Sequence, residues 1–326
     1  MDRWLVTGAA GFIGSHLVDR LLAAGKRVIG LDNHSANGNC RNLYGALKSK
    51  DFSLHAGDIR DRLLCNYLSK EVDVVVHLAA KCSVVRSIEE PGDTFENNVT
   101  GFNNVIDAAR GTSVKKFIYA SSSAVYGDDL SASKTESIIG KPLSPYATSK
   151  RINEIVAESY HHSLGLSAVG LRFFNIFGPR QQSTGGYAAV IPNWITSLLE
   201  LKPCILYGSA GITRDFCYVD NAVDAILAAA TADKDVVGGK VYNIGMGSDM
   251  TLDELSLKIL KEFCNQGLPL PTKYMQCADW RKGDIPCSRA DIERAKASLG
   301  YTPRVSVGTG LAETIKWYRE NNGTST

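Results

Sequence analysis

A doubly wound, parallel α/β sheet with a smaller, partly interleaved C-terminal domain is the fold class this sequence predicts, on three observations. Short apolar runs alternate with helical segments through the first half of the chain. Those runs are unbroken rather than alternating, as strands covered on both faces are. After Gly178 the rhythm stops.

The elements follow in order. WLVTG (4–8) reads as a strand, and GFIGSHLVDRLLAAG (11–25) as a helix that stops at Gly25. RVIGLD (27–32), FSLHAGD (52–58) and DVVVHLAA (73–80) give three further strands. Residues 93–110 read as one long helix, KKFIYASS (115–122) as a fifth strand, 144–165 as a helix closed by Gly165, and 167–178 as a single sixth strand. Beyond Gly178 the sequence predicts helices at 191–201, 219–232, 251–263 and 307–320, with a strand at 241–245. Thr251-x-x-Glu254 has capping-box spacing. The expected partition is a dinucleotide domain over 1–178 with a returning segment at about 219–245. A second domain then spans 179–218 and 246–326.

A chain of 326 residues with 44% hydrophobic and 21% charged residues is ordinary for a globular protein. A formal net charge of +2, with no basic block, argues against a nucleic-acid partner. No apolar run has membrane-spanning length, and the N-terminus runs directly into a strand, so a cytoplasmic protein is expected. Eight scattered cysteines form no CxxC pair and read as free thiols. The six histidines lack any spacing such as HExxH, so no metal is implied.

TGAAGFIG sets Gly8, Gly11 and Gly14 between a strand and a helix, and Asp32 ends the second strand about twenty residues on. Glycines let the backbone approach a pyrophosphate, and the helix start offers N–H groups and positive dipole. An acidic Asp32 accepts ribose hydroxyls and repels a 2′-phosphate, so NAD is the expected cofactor. Asp58 sits where an adenine contact or a helix N-cap is equally reasonable. SPYATSK places Tyr146 and Lys150 four apart on one helix face. A phenol has a pKa of about 10, too high for a base near neutrality. An adjacent ammonium is expected to lower it.

TGAAGFIG, SSSAVYG and Tyr146-x-x-x-Lys150 resemble the extended short-chain dehydrogenase/reductase family, which has the Rossmann fold. LRFFNIFGPRQ, RDFCYVDN and WRKGDIP resemble its nucleotide-sugar epimerase/dehydratase branch. IGKPLSPYATSK, GGYAAVIPNWITSLL and SRADI are most like bacterial UDP-N-acetylglucosamine 4-epimerases. The resemblance implies Tyr146 as base, Lys150 orienting the nicotinamide ribose, and Ser122 bonding the sugar O4. It further implies cofactor contacts from Phe12, Ile13, Asn33, Ile59, Leu78, Ala79, Ala80 and Asn98. On the UDP-sugar side it implies Lys81, Ser83, Arg86, Ser123 and Asn175. Tyr187, Ala188, Ala189 and Val190 would line the uridine pocket, Arg214 and Arg281 hold phosphates, and Asp284 the uridine ribose. Ser288 would leave room for an N-acetyl group, or else cap the helix that follows it.

Ser123 and Ala124 stand where dehydratases of the branch carry an Asp-Glu pair, which argues against loss of water. Lys81 departs from the pattern, and a pairing with a substrate carboxylate keeps a uronic acid or a modified HexNAc open. The resemblance implies a 4-epimerase working as a homodimer through helices near 93–110 and 144–164. A UDP-uronate epimerase, a dehydratase and a non-catalytic NAD-binding relative are the alternatives.

Overall fold

The computed structural model describes residues 2–34, 40–183, 189–208, 211–279 and 287–321. Its strands, in chain order, begin with β1 (Arg3–Thr7), β2 (Arg27–Asp32), β3 (Phe52–Ala56), β4 (Val74–His77) and β5 (Lys116–Ser122). They continue with β6 (Ser133–Lys134), β7 (Ala168–Phe173), β8 (Ile176–Phe177), β9 (Cys204–Tyr207) and β10 (Thr213–Arg214). The last are β11 (Cys217–Tyr218), β12 (Lys240–Ile244), β13 (Met250–Thr251), β14 (Met275–Ala278) and β15 (Cys287–Ala290). The helices begin with α1 (Phe12–Ala23), α2 (Arg62–Ser69), α3 (Val84–Glu89), α4 (Pro91–Phe95), α5 (Phe102–Arg110) and α6 (Pro145–Leu164). They end with α7 (Val190–Leu199), α8 (Val219–Thr231), α9 (Lys234–Val237), α10 (Leu252–Asn265), α11 (Glu293–Leu299) and α12 (Val307–Asn321).

Seven strands make one parallel sheet in the order β12-β7-β5-β4-β1-β2-β3. Alternate residues of each strand face opposite ways. Val6, Val74 and Val76 pack with Leu17, Leu21, Val223 and Ile226 on one face. Leu5, Val75 and Phe117 pack with Leu68, Val105 and Ile106 on the other. The strand order reverses direction between β1 and β4, and a ligand crevice opens at the carboxyl ends of strands at such a point.

A second core gathers Trp194, Ile195, Leu198, Leu255, Ile259, Phe263, Leu311 and Ile315. α10 starts with the capping box that its spacing predicts: Thr251 Oγ1 accepts from Glu254 N–H, and Glu254 accepts from Thr251 N–H. Ala290, Ile292, Ala295 and Leu299 pack into the sheet's core rather than the second one. The chain after 246 is therefore shared between the two cores, which a partition by position along the chain does not capture.

Three local features depart from the sequence reading. The expected helix 93–110 begins at Pro91 and carries a π-helical turn at Glu96–Gly101. The expected sixth strand breaks at Asn175, whose φ of 33° lies in the left-handed region that asparagine tolerates. β7 stays in the main sheet while β8 pairs with β11. Finally, α2 was not expected, because the exposed Leu63 and Tyr67 blur its apolar stripe.

Candidate active site

The turn after β1 is built for a close approach. Gly8 has φ +70°, and a Cβ there would lie 2.7 Å from the Ala79 nitrogen. A Cβ on Gly14 would lie 2.1 Å from the Gly8 carbonyl oxygen, so α1 can meet the turn only as glycine. Gly11 is the N-cap and offers no side-chain cap, leaving the first N–H groups of α1 to a ligand. Phe12 and Ile13 open the helix and pack partly against the second core. Asp32 ends β2 with Oδ2 accepting from Ala10 N–H (2.9 Å) and Oδ1 from His34 N–H (2.7 Å). A carboxylate takes about four hydrogen bonds, so both oxygens keep capacity for a ribose. These features fit a dinucleotide. Gly14→Ala should lower NAD affinity about 5- to 150-fold, the effect of roughly 1–3 kcal/mol of overpacking. Titration calorimetry with NAD⁺ would measure it.

Asp58 does not cap a helix. Asp61 caps α2, accepting from Leu63 and Leu64 N–H. Asp58 instead accepts from the Arg60 guanidinium, the Arg60 N–H and Asn33 Nδ2 (2.9 Å), and the Arg60 bond foremost holds its carboxyl well below the usual range. Ile59 is buried under Gly101, where a Cβ would meet its Cδ1 at 2.5 Å. Leu78, Ala79 and Ala80 run half-buried past Gly8, and Ala79 N–H donates to Thr7 Oγ1 (3.3 Å).

Tyr146, Lys150 and Ser122 come together. α6 is fixed at both ends: Ser144 Oγ accepts from Ala147 N–H (3.1 Å), and Gly165 closes the helix in the left-handed conformation. Tyr146 and Lys150 therefore face the carboxyl end of β5. The Tyr146 hydroxyl hydrogen-bonds Ser122, whose Oγ also accepts from Ala124 N–H (3.1 Å). Tyr146 is 9% exposed and Lys150 3%.

The expected lowering of the phenol pKa is not what this geometry gives. Burial pushes the Tyr146 phenol above its ordinary range, the nearby Cys82 sulfur adds to that, and the Ser122 hydrogen bond opposes it. The Lys150 Nζ lies 6.0 Å from the Tyr146 ring centroid and donates to the Ala120 carbonyl (2.8 Å). Burial lowers Lys150 itself to about 8. Desolvation thus outweighs the pair's attraction, and each group is driven toward its neutral form.

The loop after β4 is stapled to the same turn of α6. Asn98, 1% exposed in the π-helical turn, accepts from Lys81 N–H (2.8 Å) and donates to the Lys81 carbonyl (2.9 Å) and Ser149 Oγ (3.1 Å). Its amide is thereby spent on holding the loop. Lys81 pairs through Nζ with Asp93 at the start of the expected helix. Ser83 caps α3, accepting from Arg86 N–H (3.2 Å), and Arg86 is exposed.

On the other side of the crevice, Asn175 Nδ2 donates to the Asp215 carbonyl (2.9 Å). Arg214 and Ser288 are register partners across β10 and β15. Ser288, 5% exposed, lies in a strand, and α11 starts five residues later behind Ile292, so Ser288 is no helix cap. Ser123 and Ala124 form a short turn after β5 with no carboxyl group. Ala189 is exposed before α7, and Val190 opens that helix against the second core. Tyr187, Ala188, Arg281 and Asp284 lie outside the described residues.

Sequence reasoning missed the layer behind Tyr146 and Lys150. Glu154, on the same α6 face, accepts two guanidinium bonds from Arg172 (2.8 and 2.9 Å) and one from Ser121 Oγ (2.6 Å). Arg172 also donates to the Tyr126 hydroxyl (3.0 Å), which donates to Asn243 Oδ1 (2.6 Å). The i, i+4, i+8 spacing of Tyr146, Lys150 and Glu154 was the available signal.

Residues 4–245 match the model of the NAD dependent epimerase/dehydratase family. The chain is 36% identical to a UDP-glucose 4-epimerase of Mycolicibacterium smegmatis, over 98% of this chain and 99% of that one. Among solved structures it is similar to a UDP-N-acetylglucosamine 4-epimerase from Methanobrevibacter ruminantium in complex with UDP-N-acetylmuramic acid. That likeness has 34% identity, a TM-score of 0.91 and 98% coverage of both chains. It is also similar to a dTDP-glucose 4,6-dehydratase from Streptomyces venezuelae with NAD bound, at 35% identity, a TM-score of 0.88 and 98% coverage of both chains.

Proposed function

The chain belongs to the NAD dependent epimerase/dehydratase family, and we propose that it inverts C4 of a UDP-sugar, with UDP-N-acetylglucosamine and UDP-N-acetylgalactosamine as the pair interconverted. The observation that carries the reading is the Ser122–Tyr146 hydrogen bond at the strand end with no carboxyl group at Ser123 or Ala124. NAD⁺, held by the β1–α1 turn and Asp32, would supply a fixed positive charge and an acceptor for hydride from C4 that can give the hydride back. Tyr146 accepts the O4 proton as the sugar becomes a 4-keto intermediate, and returns it after the sugar turns over. Ser122 bridges O4 and the phenol, and the Lys150 ammonium favours the phenolate that forms transiently. Water loss from a 4-keto sugar needs an acid and a base at C5 and C6, and a hydroxyl and a methyl group supply neither.

In this reading residues 1–178 with 219–245 hold NAD, and 179–218 with 246–326 hold the UDP-sugar. Asn175, Arg214 and Arg281 grip the diphosphate, Tyr187 to Val190 and Asp284 the uridine. Ser288, small and set beside Arg214 in the strand pair, leaves space for a C2 N-acetyl group. The protein works as a homodimer in the cytoplasm, where its eight unpaired cysteines suit a reducing compartment.

The Lys81–Asp93 pair supports a neutral sugar over a uronate, because the cation already has a carboxylate partner. Among UDP-N-acetylglucosamine, UDP-glucose and UDP-glucuronate, kcat/KM should be highest for the first. Asp93→Ala should raise the relative kcat/KM for UDP-glucuronate by up to about fivefold, the worth of a half-exposed ion pair. A preference for UDP-glucuronate in the unmodified protein would overturn the substrate assignment.

A further inference from the structure

Asp215 has no accessible surface, yet its carboxylate joins segments far apart in the chain. Oδ1 accepts from Met246 N–H (2.7 Å), and Oδ2 accepts from Gly247 N–H (3.0 Å) and Ala290 N–H (3.2 Å). Gly245 makes room for it, since a Cβ there would lie 2.8 Å from Oδ2. Its main chain is equally engaged. Asp215 N–H donates to the Ser288 carbonyl (2.9 Å), and its carbonyl accepts from Asn175 Nδ2 (2.9 Å). Arg214, its neighbour in the chain, is the register partner of Ser288.

One residue thus touches the break after β7, the turn after β12, and the β10–β15 pair. We propose that Asp215 is a positioning residue that sets Asn175, Arg214 and Ser288 at the spacing a sugar-nucleotide diphosphate requires. The proposal rests on reading those three residues as sugar-nucleotide ligands. The chemistry demands a carboxylate. Three N–H groups converge on two oxygens, and an asparagine in the same pose would turn an NH₂ toward at least one of them. Burial makes that mismatch costly, because the unmet polar group cannot turn to solvent. Burial pushes the Asp215 carboxyl up to about 6 against the pull of the three donors, so those bonds hold the ionised form.

The test is Asp215→Asn, with Gly245→Ala as a second variant that crowds the carboxylate without removing it. UDP affinity and the KM for UDP-N-acetylglucosamine should each worsen about tenfold. The kcat should stay within about threefold and NAD affinity within about twofold, because neither the β1–α1 turn nor Tyr146 touches Asp215. Amide hydrogen exchange should quicken at 246–247 and 287–290 and stay unchanged at 8–15. Unchanged UDP affinity and exchange in both variants would overturn the proposal, as would loss of NAD and UDP affinity in equal proportion. If the unmodified protein bound no UDP, the sugar-nucleotide reading would fail. The positioning claim would then be decided by the exchange at 246–247 and 287–290.

Discussion

Tyr146→Phe should lower kcat about 10²–10⁴-fold while leaving the fold and cofactor affinity in place. The ring is 9% exposed and packed, and only the hydroxyl is removed, so no cavity forms. What goes is the oxygen that hydrogen-bonds Ser122 and, on the proposed mechanism, takes the O4 proton. The expected pattern is a fall in kcat and kcat/KM together with little change in melting temperature, the signature of an interaction used in the transition state. A Phe variant with full turnover would remove Tyr146 from the chemistry. The structure explains why the phenol needs company. Burial holds it protonated, so on the proposed mechanism the phenolate would form only as charge develops around it, with Ser122 donating and the Lys150 ammonium close by.

The second large effect concerns stability. Arg172→Leu should cost roughly 3 kcal/mol, the low end for breaking a buried pair, because Glu154, at 2% side-chain exposure, loses its bidentate partner and keeps only the half-exposed Arg151 (2.9 Å). The Tyr126 hydroxyl also loses its donor. The double variant Glu154→Leu/Arg172→Leu should be more stable than Arg172→Leu alone, since it removes a buried carboxylate whose remaining partner is the half-exposed Arg151. Urea denaturation of the three proteins would show this as a positive coupling. Equal stability of the single variant and the unmodified protein would mean that the pair does not hold α6 against β7.

How much of this was legible in the sequence follows from how local each signal is. Gly8, Gly11 and Gly14 sit within one strand–turn–helix, and Tyr146 and Lys150 within one helical turn, so spacing alone points to both. The partner of Lys81 was not legible: Asp93 lies 12 residues on, brought near by a helix start at Pro91 that the reading missed. Glu154 and Arg172, 18 residues apart, meet only because α6 lies along β7. Asp215 reaches Met246 and Ala290 across 31 and 75 residues, through sheet topology that no periodicity encodes. The Tyr146 phenol was misjudged for a related reason. The sequence displays its charged neighbour but not the depth of burial, and burial decides the sign of the shift.

The central claim is inversion at C4 without loss of water. Purified protein incubated with UDP-N-acetylglucosamine should be followed by proton NMR and mass spectrometry together. A new anomeric signal of UDP-N-acetylgalactosamine should appear at unchanged mass, approaching the same ratio from either sugar. A product lighter by one water, or no new sugar from any UDP-hexose or UDP-N-acetylhexosamine with NAD⁺ present, would contradict it.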